Sequence, residues 1–462
     1  MFEGWGEGDV GGGVEREAYF FSMLDPDPRV ERRRLRYMAD TPLAVYCRKA
    51  LAGLPFDLLA LIVEYCMPSR RLSKLLAFDT YIIALMTDNT LVEWVGYPLE
   101  PAYQPLPQIA STAHLSAWCS NGFAHALILR GGQIVSWGGL AYGADTSRLV
   151  PAPTQPDDAP YLMAATQGAF AAVYPNGQIV AWGRPEYGGQ FNKDEISDGP
   201  RAPRRETSSP TLLCATQCAF AAWVHDRLWI WGATRTQASD MVFDALITEG
   251  KGVRSLCATD GAFGILLNNG AVRIRGHDPS YGACSANSLL LKGPFEALYA
   301  TRYTFVALLA GGGRVVTWGK PLYKSPQQPP LVECDLYATT VYPNKCGVVI
   351  HARDGTYSDW RHTVIPVTIP EALPRVGHHD IRPLGPDAYL AELTDGTLCA
   401  WGPGLHHDRQ ALIRDAAVDV WACWNEYIMQ DAYGTLHLWQ VKPYLTAWWK
   451  SRDLDHVQPR IF

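Results

Sequence analysis

The sequence predicts an all-β fold, a single β-propeller of seven to nine blades preceded by a short N-terminal helical element. Three observations support this prediction. One β-hairpin motif occurs nine times, the copies recur every 38 to 49 residues, and the second strand of the clearest copies ends in Trp-Gly. A repeat of this length, with room for three or four short strands, is typical of a propeller blade.

The third copy shows the hairpin most clearly. Two apolar strands are predicted at residues 168–173 and 178–183, and Asn176-Gly177 separates them. Asn and Gly tolerate the positive φ that a tight hairpin turn requires. The other copies are predicted to turn at Asp88-Asn89, Gly131-Gly132, His225-Asp226, Asn269-Gly270, Gly312-Gly313, Asp354-Gly355, Asp395-Gly396 and Tyr433-Gly434.

The end of the second strand marks the register of all nine copies. These markers are Trp94, Trp137, Trp182, Trp231, Arg275, Trp318, Trp360, Trp401 and Trp439. In seven copies a large residue lies twelve positions before the marker: Ile82, His125, Phe170, Phe263, Val348, Tyr389 and Tyr427. Phe220 and Phe305 lie one place off, which a one-residue change in hairpin length explains. We expect the marker tryptophans of the first eight copies to lie in the core, together with Phe170 and Phe263.

The repeat region is predicted to span residues 79–448. Its second copy reads Gly122-Phe123-Ala124-His125, then residues 132–138 ending in Trp-Gly, then Tyr142-Gly143. This pattern resembles the repeat of the regulator of chromosome condensation family. The resemblance implies a β-propeller and, from the eukaryotic exchange factor of that family, guanine-nucleotide exchange on a small GTPase. The Gly-Gln-Leu-Gly ending of that factor is mostly absent, and residues 187–190 come nearest to it.

The N-terminal part is predicted to divide into a flexible arm at residues 1–40 and a helical segment at residues 41–78. Apolar residues at helical spacing fill residues 54–65, and a second short helix is predicted from Arg71 to Phe78. The segment resembles the start of an F-box, which implies binding to a Skp-type adaptor. An amphipathic helix that caps the β domain is the alternative. The adaptor-binding residues would be Leu54, Pro55, Leu58, Leu59 and Ile62.

Composition restricts the classes of partner and compartment. The chain has 462 residues and a formal net charge of −6, so it lacks the basic field expected of a nucleic-acid binder. No uninterrupted apolar run approaches membrane-spanning length, and the N-terminus lacks a secretory signal pattern. The eleven cysteines include no Cys-x-x-Cys pair, which favours buried packing over disulfides. We therefore expect an intracellular protein, cytoplasmic or nuclear, that is not secreted.

The chain carries no recognisable catalytic motif. A phosphate-binding loop, a nucleophile elbow and a zinc-protease helix are all missing from the sequence. The triplets at residues 378–380 and 406–408, each His-His-Asp, are interpreted as polar loop residues because adjacent histidines on an extended chain point in different directions. We predict no catalytic residues, no cofactor and no metal.

The sequence therefore predicts a non-enzymatic protein–protein interaction scaffold that uses a propeller face. The two alternatives are an F-box-type substrate receptor of a cullin-RING ubiquitin ligase and a guanine-nucleotide exchange factor for a small GTPase. The long segment at residues 184–210 is a candidate contact loop, and residues 449–462 are predicted to form a C-terminal tail. The contact residues in that loop would be Asn192, Lys193, Arg201, Arg204 and Arg205.

Overall fold

The structure is a computed structural model of the chain. It describes residues 72–77, 81–86, 91–95, 103–104, 115–121, 123–129, 133–146, 162–174, 177–191, 211–233, 252–276, 279–283, 293–311, 313–324, 333–362, 367–385, 387–403, 405, 410, 413–414, 417–423, 426–431, 436–439 and 460–461. The chain divides into two compact units. Unit 1 comprises residues 1–20, 100–107 and 115–366, and unit 2 comprises residues 21–99, 108–114 and 367–462.

Unit 2 holds the first three strands and the last seven. The first sheet contains β1 (Leu72–Ala77), β2 (Tyr81–Met86) and β3 (Leu91–Val95). A second sheet contains β23 (His378–Leu384), β24 (Ala388–Leu393) and β25 (Leu398–Trp401), preceded by the short helix α1 (Ala372–Val376). The last sheet contains β26 (Ala417–Cys423), β27 (Glu426–Asp431), β28 (Leu436–Trp439) and β29 (Arg460–Ile461).

Unit 1 holds strands β4 to β22. Its four-stranded sheet has the order β4-β7-β6-β5, with β4 at Tyr103–Gln104, β5 at Leu115–Ser120, β6 at Ala124–Leu129 and β7 at Ile134–Gly139. Three three-stranded sheets follow. The first contains β8 (Leu162–Ala165), β9 (Ala169–Val173) and β10 (Ile179–Gly183), and the second contains β11 (Leu212–Ala215), β12 (Ala219–Val224) and β13 (Arg227–Gly232). The third contains β14 (Val253–Ala258), β15 (Ala262–Leu267) and β16 (Val272–Gly276).

A six-stranded sheet completes unit 1 and contains two copies of the motif. Its strands are β17 (Phe295–Ala300), β18 (Thr304–Leu309), β19 (Arg314–Gly319), β20 (Glu333–Pro343), β21 (Gly347–Ala352) and β22 (Tyr357–Arg361). Short 3-10 turns lie at Leu140–Tyr142, Pro185–Tyr187 and Pro279–Tyr281. The predicted all-β fold class of the propeller type is confirmed, since the described residues form small, almost entirely antiparallel sheets and contain little α-helix.

The predicted hairpin register is confirmed. In every copy the large residue before the marker is the direct cross-strand partner of the marker, as Phe170 is of Trp182. The two copies that lie one place off pair in the same way, since Phe220 faces Trp231 and Phe305 faces Trp318. In the first of these a two-residue turn, His225-Asp226, adopts φ values of 49° and 61°. Both central residues of this turn therefore have the positive φ of a type I′ turn, which closes the shorter hairpin.

Successive copies of the motif in unit 1 pack through their first strands. β5 lies beside β8, β8 beside β11, β11 beside β14, β14 beside β17, and β17 beside β20. Within unit 2, β26 lies beside both β23 and β1. The buried apolar clusters accordingly lie between successive sheets; one contains Phe220 and Trp231 with Ala171 and Val173 of the preceding copy. Within a unit, neighbouring copies thus bury apolar faces against each other, as propeller blades do.

A repeated contact explains both the Trp-Gly marker and the Tyr-Gly pair. The indole Nε1 of Trp231 donates a hydrogen bond to the carbonyl of Gly188 at 3.0 Å, and Trp182 makes the same bond to Gly143. Gly188 has a φ of +86°, and a Cβ added there would lie 2.7 Å from Cδ2 of Phe220 in the next copy. Only glycine combines this backbone conformation with this close approach.

The predicted core is largely confirmed. Phe170 and Phe263 are buried, as are the marker tryptophans at 137, 182, 231, 318 and 401. Trp360 is only half-buried and departs from the prediction. The residue after Trp360 is Arg361, whereas the clearest copies have glycine there. The guanidinium of Arg361 is buried in a bidentate pair with Asp359, at 2.8 and 2.7 Å. The side chain of Trp94 lies outside the described residues.

One predicted element is wrong, and the predicted tail contains a short strand. Residues 72–77 do not belong to a second short helix from Arg71 to Phe78, because they form β1 and pair antiparallel with β2 from Leu72↔Met86 to Ala77↔Ile82. The first sheet therefore begins at residue 72 rather than 79. Residues 460–461, at the end of the predicted tail, form β29 and pair in parallel with β28. Short apolar runs fit either period, and strand pairing decides between them.

Candidate functional site

One end of the unit 1 sheets carries a repeated polar turn, which we call the rim. It is formed where the first strand of a copy turns into the second. In the fifth copy the turn begins at Thr259, whose Oγ1 accepts a hydrogen bond from the backbone N–H of Ala262 at 3.0 Å. The same hydroxyl donates to the carbonyl of Tyr281 at 2.7 Å, which ties the rim to the Tyr-Gly turn. The equivalent turns begin at Asn121, Thr166, Thr216, Thr301 and Asn344.

The sequence analysis missed these turn residues, although a signal for them exists. Thr or Asn lies three positions before the first residue of the second strand, as in Thr166-x-x-Ala169 and Thr259-x-x-Ala262. Both residue types form local side-chain hydrogen bonds to nearby backbone N–H groups. A search for Thr or Asn in phase with the tryptophan marker would have found the rim.

A chain of backbone hydrogen bonds links the rim turns of successive copies. The N–H of Gln167 donates to the carbonyl of Gln217, and Gln217 donates to Asp260, at 2.9 and 3.0 Å. The backbone N–H of Asp260 then donates to the carbonyl of Arg302 at 2.9 Å, and the backbone N–H of Arg302 donates to the carbonyl of Lys345 at 3.0 Å. The turns of five copies are therefore held in one row, and their side chains vary in charge from one copy to the next.

The second copy places an exposed aromatic group on the rim. Phe123 is 47% exposed, and its ring stacks on Tyr142 with a centroid distance of 4.3 Å and an interplanar angle of 20°. The guanidinium carbon of Arg184 lies 4.6 Å from the centroid of the Tyr142 ring. Leu140, on the same 3-10 turn as Tyr142, is 40% exposed. We call these four residues the Phe123 patch.

The Phe123 patch rests on a tightly bonded turn. Oδ1 of Asn121 accepts hydrogen bonds from the N–H groups of Phe123 and Ala124, at 3.1 and 2.8 Å. Nδ2 of Asn121 donates to the carbonyl of Tyr142 at 2.8 Å. Asn121 itself is fully buried. One side chain therefore positions both stacked rings.

The fifth to seventh copies place a second group on the rim, centred on Tyr303. The guanidinium of Arg302 lies 5.1 Å from the centroid of the Tyr303 ring, and the ammonium of Lys320 lies 4.8 Å from it. Tyr281 and His362 approach the same ring at 5.6 and 5.3 Å, the latter edge-on. Together with Asp260, which pairs with Arg302 at 2.6 Å, these residues form what we call the Tyr303 cluster.

The charges of the Tyr303 cluster follow from its contacts. Asp260 accepts hydrogen bonds from Nε2 of Gln217 and Nε of Arg302, both at 2.6 Å. Burial alone would lower the pKa of Arg302, but the hydrogen bond and charge of Asp260 outweigh it and raise that pKa. Burial lowers the pKa of His362 to about 4, with Lys320 and Arg302 adding to the effect. At neutral pH the imidazole of His362 is therefore neutral, and the guanidinium of Arg302 stays charged.

Three cysteines of the first strands have described side chains, and these are buried or half-buried. Cys119 and Cys214 are buried, and Cys257 lies at the position equivalent to Cys214 in the next copy. Burial raises the pKa of the Cys214 thiol, and Cys257 raises it further. Thiols in this environment are protonated and pack as small apolar groups.

The predicted site residues lie outside the described part of the chain. This holds for the adaptor-binding residues of the helical segment, at positions 54–62, and for the contact-loop residues, at positions 192–205. Both assignments therefore stay predictions. The interpretation of the His-His-Asp triplets as loop residues is wrong for residues 378–380, which lie on β23, whereas residues 406–408 are outside the described ranges. Within those ranges no three metal-binding side chains come together, and no helix is long and apolar enough to cross a bilayer.

Comparison with known proteins returns structural neighbours only. No protein-family model and no curated protein matches the chain. The CRINKLY WD40 ectodomain of the Arabidopsis thaliana receptor kinase ACR4 is 16% identical, with a TM-score of 0.36 over 63% of this chain and 96% of that chain.

Prp20p from Saccharomyces cerevisiae, described with its binding properties to Gsp1p and histones, is also similar. It is 13% identical, with a TM-score of 0.32 over 64% of this chain and 73% of its own. The same yeast RCC1 (Prp20), solved with Kap60 bound, is 13% identical with a TM-score of 0.31 over 63% and 70% of the two chains. At these identities and scores, no partner or activity carries over from these proteins to this chain.

Proposed function

We propose that this protein is a non-enzymatic interaction scaffold inside the cell and that the Phe123 patch is a contact surface for another protein. The observation that carries the proposal is the exposed stack of Phe123 on Tyr142, with Arg184 over the Tyr142 ring. Aromatic residues and arginine dominate the binding energy of protein interfaces. Exposed apolar groups of this kind on a rigid frame commonly mark interaction sites.

The patch is ordered before any partner arrives. The three hydrogen bonds of Asn121 hold the turn that carries Phe123 and the carbonyl of Tyr142. A side chain that is already held in one arrangement loses little conformational entropy on binding. An aromatic stack fixed in this way therefore keeps more of its burial energy as affinity than a mobile one would.

Substitution of Phe123 tests the proposal. We expect Phe123→Ser to weaken capture of the partner about tenfold or more, as loss of an interface hot spot does. Affinity capture from native cell lysate, with quantitative mass spectrometry and titration of the captured protein, measures this. Tyr337→Ser is the matched control, because Tyr337 is 44% exposed and pairs with Arg314 at the opposite, hairpin-turn end of its sheet.

The two variants give opposite readings. Loss of a partner with Phe123→Ser and its retention with Tyr337→Ser would support the proposal. Equal capture by wild type and Phe123→Ser would contradict it. The same experiment addresses the two alternative predictions, since Skp and cullin peptides would favour the ligase receptor and a small GTPase would favour the exchange factor.

A further inference from the structure

The Tyr303 cluster is a local positive site on a chain of net charge −6. Its charged members are Arg302, Lys320 and Asp260. Asp260 and Arg302 neutralise each other at 2.6 Å, while Lys320 is exposed at the end of β19. The cluster therefore presents the ammonium of Lys320 as its outward charge. Lys345 continues the row of rim turns next to Arg302 and adds a further cation to this end of the unit.

The ammonium of Lys320 is held in place by an aromatic platform. It lies 4.8 Å from the centroid of the Tyr303 ring, and that ring is itself supported by Tyr281 and by the edge of His362. A cation–π contact of this kind restricts a long side chain that would otherwise sample many rotamers. His362 is also fixed, because its Nε2 lies 2.8 Å from Oγ1 of Thr301. The positive charge is thus preorganised.

We propose that the Tyr303 cluster binds an acidic segment of the protein partner, with an Asp or Glu carboxylate against the ammonium of Lys320. This inference rests on the proposed function, since the Phe123 patch on the same rim would hold apolar side chains of that partner. Peptide carboxylates meet this charge locally, because interactions between exposed charges fade beyond about 8 Å at physiological salt. A nucleic acid is a long polyanion, so the net negative charge of the chain would repel it.

A peptide-binding experiment on the full chain tests the inference. The probes are a fluorescein-labelled Glu-rich peptide, its twin in which every Glu is Gln, and a single-stranded oligonucleotide of equal charge. Fluorescence anisotropy measures the dissociation constant of each probe. We expect the Glu peptide to bind, the Gln twin to bind at least about tenfold more weakly, and the affinity of the Glu peptide to fall as salt is raised.

Two pairs of variants locate the binding. Lys320→Glu is expected to weaken binding of the Glu peptide about tenfold. Arg353→Glu reverses an exposed charge at the opposite end of its sheet and should change the affinity for that peptide less than about twofold. Tyr303→Leu removes the platform and is expected to weaken binding about threefold, while Tyr303→Phe keeps it.

The possible outcomes separate this inference from the proposed function. Equal affinity of wild type and Lys320→Glu for the Glu peptide, or tighter binding of the oligonucleotide, would overturn the inference. Tighter peptide binding after deletion of residues 1–9 would also overturn it, because the acidic start of the chain would then be the occupant. In each case a Phe123-dependent partner in lysate would still support the proposed function. Capture that does not depend on Phe123, with Lys320-dependent binding of the Glu peptide intact, would refute the Phe123 contact and leave only the carboxylate site.

Discussion

Replacement of Gly188 by alanine tests the contact that joins one copy of the repeat to the next. Gly188 has a φ of +86°, and its carbonyl accepts the hydrogen bond from the indole of Trp231. A Cβ at this position would lie 2.7 Å from Cδ2 and 3.0 Å from Cε2 of Phe220. Phe220 is fully buried, so its ring cannot move aside without disturbing the core between the third and fourth copies.

Two costs add in this variant. A left-handed backbone conformation costs a non-glycine residue about 1–2 kcal/mol. Extra volume in a packed core costs about 1–3 kcal/mol more. We therefore expect Gly188→Ala to lower the free energy of unfolding by about 2–5 kcal/mol. Gly355→Ala is the matched control, because Gly355 has a φ of +82° and nothing lies within 4 Å of a Cβ added there.

Urea unfolding of the full chain, followed by intrinsic fluorescence, measures both variants. The control should show only the backbone cost, so the difference between the variants reports the contact with Phe220. Phe220→Leu in the Gly188→Ala background should recover part of that difference, since neighbouring substitutions are not additive. An equal loss of stability in Gly188→Ala and Gly355→Ala would refute the proposed packing role of the Tyr-Gly glycine.

Two further predictions concern buried charge. Asp359→Ala should lower the free energy of unfolding by about 3–5 kcal/mol, because it leaves the buried guanidinium of Arg361 without its carboxylate. Urea unfolding measures this loss, and Glu371→Ala, at an exposed position, is the control. An equal loss of stability in the two variants would contradict the prediction. Because burial lowers the pKa of His362 to about 4 from 6.5, the unfolded chain binds the proton first as pH falls. Stability should therefore fall as the pH is lowered from 6.5 to 4, and His362→Gln should flatten part of that slope in melting curves. His125, whose pKa burial lowers to about 3, and His351, whose pKa burial also lowers, contribute to the rest. An unchanged slope would contradict the assignment to His362.

The hairpins could be predicted from sequence because their determinants are local. The turn residues and the twelve-residue offset both lie within one copy, so Phe170 and Trp182 are read as partners without tertiary information. The first strand of the first copy could not be predicted in the same way. Residues 72–77 form a short apolar run that fits a helix or a strand, and pairing with β2 decides the outcome.

The rim could be predicted only in part. Its Thr and Asn turns repeat in phase with the tryptophan and carry a sequence signal. The Tyr303 cluster carries none, because it joins side chains from three different copies, such as Tyr281 and His362. Nothing within a single copy indicates that these residues meet around one ring.

The row of backbone hydrogen bonds along the rim has a consequence for how recognition could diversify. Each link uses a main-chain N–H and a main-chain carbonyl, so the spacing between neighbouring turns does not depend on which side chain occupies them. Gln167, Gln217, Asp260, Arg302 and Lys345 already place neutral, acidic and basic groups on equivalent positions of one frame. The side chains of such a surface can be substituted one position at a time. New binding specificities could therefore be engineered here without redesign of the sheets beneath.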